Sequence, residues 1–143
     1  MLDGALLVPG LGNDILVADD DAEVRDAVHD GLRRQGYSVW LAADGQEALD
    51  LYRNHCETID VALLDVCMPG LDGPQTLAAL QALTPRIRCC FMTGYLGRYT
   101  EQGLRHLGAE AVFTKPFRLA EVAQTLRTMA RPARLSGPPC AAH

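Results

Sequence analysis

The six residues Ile59-Asp60-Val61-Ala62-Leu63-Leu64 run almost without a polar break and stop at Asp65. A strand with one wet face alternates apolar and polar side chains, whereas a strand covered on both faces has no need to. The run therefore reads as a central strand of a parallel sheet, with helices above and below it. A parallel neighbour is reached only by a crossover, usually a helix. Strand and helix patterns should then alternate along the chain.

They do so five times. Asn13 to Ala18 reads as a strand, and Asp20 or Asp21 can cap a helix with Val24, Ala27, Val28 and Leu32 at helical spacing, stopped at Gly36. Tyr37 to Leu41 reads as a second strand. Asp44 and Glu47 form an acidic capping box before Ala48, Leu49 and Leu51, in a helix ending near Asn54. Beyond Asp65, Met68-Pro69-Gly70 breaks the chain, Gly73-Pro74 opens a helix striped by Leu77, Leu80 and Leu83, and Pro85 closes it. Ile87 to Met92 is a fourth strand, followed by a weaker helix over 97–106 with Leu104 and Leu107 inward. Ala111 to Thr114 is the fifth strand, and Leu119, Val122, Ala123 and Leu126 pattern a last helix that Pro132 ends.

The expected fold is thus α/β, a doubly wound five-stranded parallel sheet with right-handed crossovers. One domain is expected over 13–130, preceded by a flexible extension at 1–12. Residues 131–143, with Pro132, Gly137, Pro138 and Pro139, have the composition of a disordered tail or truncated linker.

A formal charge of -5 with no basic cluster argues against nucleic acid or an anionic membrane as partner. No apolar run approaches the roughly 20 residues of a membrane span. The patch Ala5-Leu6-Leu7-Val8 follows Asp3 instead of a positive segment, so a secretory signal is not expected and cytoplasm is. The five cysteines include no Cys-x-x-Cys, and the adjacent Cys89 and Cys90 would point to opposite faces of a strand as small buried thiols.

Three of the strand runs end in charge. Asp19 and Asp20 follow Ile15 to Ala18, Asp65 follows Val61 to Leu64, and Lys115 follows Ala111 to Thr114. Open α/β sheets bind ligands beyond the carboxyl ends of their strands, so these groups should converge there. Two unit charges about 4 Å apart repel by roughly 4 kcal/mol at an effective dielectric near 20. Gathered carboxylates therefore invite a cation, and a lysine beside them invites a phosphate. Helix capping accounts for one acid, Asp21, and not for three.

Taken together, Ile-Leu-Val-Ala-Asp19-Asp20-Asp21, Leu-Leu-Asp65-Val-Cys-Met-Pro69-Gly-Leu-Asp-Gly73, Phe-Met-Thr93-Gly94 and Phe-Thr-Lys115-Pro116-Phe117 resemble a response-regulator receiver domain of the chemotaxis type, over about Asn13 to Met129. The resemblance implies a flavodoxin-like (βα)5 fold with strand order 2-1-3-4-5. It makes Asp65 the acceptor of a phosphoryl group in a two-component phosphorelay, donated by a histidine kinase, a histidine phosphotransfer domain or a small phosphodonor. It places Mg2+ on Asp20 and Asp65, on Asp19 through water and on the backbone carbonyl of Cys67. Thr93 and Lys115 would contact the phosphoryl group, Gly94 would leave the backbone room, and Lys115-Pro116 is where the family has a cis peptide bond.

The protein implied is a switch that slowly loses its own phosphate and is not a turnover enzyme. It would act on a downstream protein whose identity the sequence leaves open, as it leaves open a homodimer formed on phosphorylation. The alternative is the receiver part of a larger regulator whose effector domain is absent. An aspartyl-phosphate hydrolase lacks its usual Asp-x-Asp at Cys67, and an unphosphorylated scaffold would not need Asp19, Asp20, Asp65, Thr93 and Lys115 together. Two positions depart from the family pattern. Val112 stands where an aromatic side chain usually follows the threonine, with Phe113 on the opposite face. Cys67 flanks the place of the hydrolytic water, where a thiol should lengthen the life of the phosphate.

Overall fold

The computed structural model describes residues 14–129, and the expected extension, tail and helix stop at Pro132 lie outside them, as does Asn13. Ten elements alternate along the chain. They are β1 (Asp14–Ala18), α1 (Ala22–Arg34), β2 (Ser38–Ala42), α2 (Gly45–His55), β3 (Ile59–Asp65), α3 (Gly73–Leu83), β4 (Arg88–Thr93), α4 (Glu101–His106), β5 (Ala109–Thr114) and α5 (Leu119–Met129). The strands form one parallel sheet in the order β2-β1-β3-β4-β5, as the sequence led us to expect.

Alternation along each strand divides the core in two. Ile15, Val17, Val61, Leu63, Cys90, Met92 and Phe113 face α1 and α5, where Val28, Leu32, Val122 and Leu126 meet them. Leu16, Ala18, Ala62, Leu64, Cys89 and Phe91 face the other way, onto Leu49, Leu77, Leu80 and Leu104. The adjacent cysteines thus lie in different halves of the core. Burying one of these large side chains contributes about 1.5–3 kcal/mol, which is why β3 carries apolar residues on both faces.

The helix starts follow local chemistry. Asp21 accepts from the backbone N–H of Glu23 and Val24. Asp44 accepts from Glu47 N, but Glu47 reaches back to Ala43 N and not to Asp44 itself, so its box is displaced by one residue. The complete box is at α3, where Asp72 and Gln75 exchange bonds of 2.9 Å each way, a pairing hidden in the sequence by the Gly73-Pro74 signal between them.

Two expectations need correction. The helix foreseen over 97–106 begins only at Glu101, because Gly97 sits at φ 61, outside helical space, and Thr100 is the cap. Leu107 is 46% exposed and not inward: α4 has ended, and the chain is turning into Gly108 at φ 122. Among the described residues no helix is long and apolar enough to cross a membrane.

Candidate phosphoacceptor site

The register of the sheet brings the charged residues together. Ala18 pairs with Leu64, so Asp19 and Asp65 follow side by side off β1 and β3, at the point where the strand order reverses. Thr93 pairs with Thr114 one strand further on, and Lys115 N donates to the Thr93 carbonyl at 2.7 Å. All four groups stand on one edge of the sheet because four strands end in step.

Asp19 is fully buried, with Oδ1 accepting from Asp21 N at 2.9 Å and Oδ2 from Lys115 Nζ at 2.7 Å. Its carbonyl accepts from Arg25 at 2.7 Å, a contact that the sequence did not reveal. Lys115 Nζ also lies 3.4 Å from Asp65 Oδ1. The carboxylates of Asp19, Asp20 and Asp65 each offer an oxygen within 4.8 Å of the others, with Asp20 on the solvent side. A donor set of hard oxygens at this spacing, open on one side, fits a divalent cation that keeps part of its water shell.

One ammonium facing three carboxylates leaves negative charge unbalanced. Burial first, and the Asp19 charge second, push the Asp65 pKa up to about 7, against the opposing pull of Lys115. For Lys115 burial works downward, but the bond to Asp19 and the charges of Asp65 and Asp19 outweigh it, and the net shift is upward. The lysine stays charged.

Gly73 holds the acceptor loop from beneath. A Cβ there would lie 2.4 Å from the Asp65 carbonyl oxygen, so only glycine lets the start of α3 press against the end of β3. The sequence marked this glycine only as a helix start. Gly94 is less demanding: a Cβ would meet Lys115 Cδ at an ordinary 3.7 Å. The Lys115-Pro116 peptide is cis.

Thr93 is buried, and its Oγ1 accepts from Tyr95 N at 3.0 Å. Cys67, two residues past Asp65, donates its thiol to the Tyr95 carbonyl at 3.2 Å. Burial, and then the charges of Asp65, Asp72 and Asp20, raise the thiol's pKa, so it remains a donor. Val112 is half-buried on the α4 side of β5, and Phe113 packs on the α5 side. Tyr99, which the sequence gave no reason to single out, is half-buried and donates to Asp72 at 2.7 Å.

The model of the response regulator receiver domain matches residues 15–127. The chain belongs to this family. Sporulation initiation phosphotransferase F of Bacillus subtilis is 33% identical over 113 residues, 79% of this chain and 90% of that protein. Transcriptional regulatory protein PrrA of Mycobacterium leprae is 36% identical over 118 residues, 82% of this chain but 49% of its own length. The receiver thus spans nearly all of one relative and about half of the other. Among solved structures, the CheX-CheY-BeF3-Mg+2 complex from Borrelia burgdorferi matches with a TM-score of 0.77 and 25% identity, over 85% of this chain and 92% of that one. The chain is therefore a receiver domain of the two-component response-regulator class.

Proposed function

We propose that this receiver takes a phosphoryl group on Asp65 from the phosphohistidine of a histidine kinase or histidine phosphotransfer domain. The supporting observation is the meeting, at one strand-end crevice, of Asp65 with Lys115 Nζ at 3.4 Å and with Asp19 and Asp20 within 4.8 Å. Asp65 is the nucleophile: its carboxylate oxygen forms the new P–O bond while the P–N bond breaks and the imidazole leaves. Lys115 offsets charge on the phosphoryl oxygens, and Thr93 turns its hydroxyl to donate to one of them.

Asp20 and Asp65 would hold Mg2+, with Asp19 through water and Cys67 through its carbonyl. When bound, it would keep Asp65 ionised and neutralise the incoming phosphoryl oxygens. The product is a charged aspartyl phosphate that alters the loop after β4 and the surface beyond it, in the cytoplasm, for a downstream protein partner. No leaving-group acid stands two residues past Asp65, where Cys67 is found, so the reading is of a switch without turnover.

Incubation with acetyl phosphate and Mg2+ should add one phosphoryl mass to the wild type and none to Asp65→Asn. Continuous phosphate release would point instead to a hydrolase. An adduct that survives in Asp65→Asn would sink the assignment.

A further inference from the structure

Residues 94–100, between β4 and α4, are tied at three points. Tyr95 N donates to Thr93 Oγ1, the Tyr95 carbonyl accepts from Cys67 Sγ, and Tyr99 Oη donates to Asp72 Oδ2. Between the two tyrosines the chain is compact, with Tyr99 N closing a turn on the Leu96 carbonyl at 3.0 Å and Gly97 at φ 61. A displacement of Tyr95 is therefore carried to Tyr99 and not absorbed by slack.

Asp72 is a firm anchor. Its Oδ1 accepts from Gln75 N, its own N–H donates to Gln75 Oε1, and α3 begins there. The Tyr99 ring packs on the same core cluster as Val112. Arg98 sits over that ring at 5.2 Å, donates to the Tyr99 hydroxyl at 3.1 Å and lies 3.7 Å from Asp72 Oδ2, but at 73% exposed it adds little.

Thr93 must release Tyr95 N, or rotate about it, to face Asp65. The segment that follows then shifts, and its far end is the Tyr99 hydroxyl on the Asp72 carboxylate. We propose that Tyr99 is the positioning residue of this switch: its bond to Asp72 latches the 94–100 loop, and through it Thr93, in the unphosphorylated arrangement, and opens when Asp65 is phosphorylated. The proposal rests on Asp65 as phosphoacceptor and supplies a readout on a chain with Val112 in place of an aromatic residue.

A bond made only in the resting arrangement opposes every ligand that selects the other one, so removing it must tighten that ligand. The test uses beryllofluoride with Mg2+ as a stable phosphoryl mimic, titrated into the wild type, Tyr99→Phe, Asp72→Asn and their double variant. Tyr99→Phe keeps the ring and loses the hydroxyl, while Asp72→Asn keeps a capping oxygen for α3 and weakens the bond. Each single variant should bind the mimic about two- to tenfold more tightly, from the loss or weakening of the Tyr99–Asp72 bond; the exposed bond from Arg98 that Tyr99→Phe also removes is kept in Asp72→Asn. The double variant should bind no tighter than the better single one, and hydrogen exchange of the 95–100 amides should speed up. Equal or weaker binding in both single variants, whatever the change in thermal stability, overturns the latch. Failure of the wild type to bind, or binding retained by Asp65→Asn, overturns the phosphoacceptor reading and the latch with it.

Discussion

Asp65 is a carboxyl group in surroundings that resist its charge. A folded-state pKa near 7, against the ordinary carboxyl value of 3.8, means that the folded protein holds this proton more tightly than the unfolded chain does. Stability from this group is thus fully present below about pH 4 and is lost as pH rises through 7. With Mg2+ removed by EDTA, Asp65→Asn should be more stable than the wild type at pH 8 by urea unfolding, with the gap smaller at pH 5 and closing below about pH 4. A gap that is larger at pH 5 would contradict the sign. Cys67 yields a second expectation at this scale. Its thiol is turned to the Tyr95 carbonyl and so does not hold a water beside Asp65. Phosphorylated Cys67→Asn, with an amide that can orient that water, should lose phosphate several-fold faster than the wild type, read from acid-labile phosphate over time. Slower decay in the variant would remove the role given to the thiol.

Among the elements, α3 shows most clearly what a sequence makes legible. Gly73-Pro74 and the Leu77 and Leu80 spacing sufficed to place it, because those signals are local. Its contact with Asp65 was not legible, since it depends on where β3 ends in space. A Cβ on Gly73 would also lie 2.9 Å from Val66 Cα, so backbone and not a yielding side chain surrounds it. Gly73→Ala should cost about 1–3 kcal/mol by urea unfolding and slow phosphorylation by displacing the acceptor. An unchanged midpoint with full phosphorylation would show that the loop gives way freely. The weak α4 pattern failed for a related reason: Gly97 serves a turn set by Tyr99 and Leu96, and nothing in hydrophobic spacing separates that turn from a first helical turn. Asp72 with Gln75 was visible as residue types, but its partner Tyr99 lies 27 positions away.

At the scale of the whole molecule, the apolar halves of the core hold the sheet while one edge of it stores repulsion. The strand runs and their charged ends were readable because burial on both faces and a parallel register force them into one crevice. The balance of charge there was not, since Lys115 divides its ammonium unequally between Asp19 at 2.7 Å and Asp65 at 3.4 Å. A cation that binds only the folded crevice must stabilise the entire fold by mass action, about 2.7 kcal/mol at a hundredfold excess over its dissociation constant. Mg2+ should therefore raise the melting temperature of the wild type by several degrees at pH 7.5, beyond a KCl control of equal ionic strength. Asp20→Asn removes a carboxylate on the solvent side of the cluster without disturbing the buried Asp19 and Lys115 pair. Its metal-free form should be at least as stable as the wild type, and its response to Mg2+ should nearly vanish. A full response in Asp20→Asn would place the cation elsewhere, and no response in the wild type would leave the carboxylates without the ligand their spacing implies.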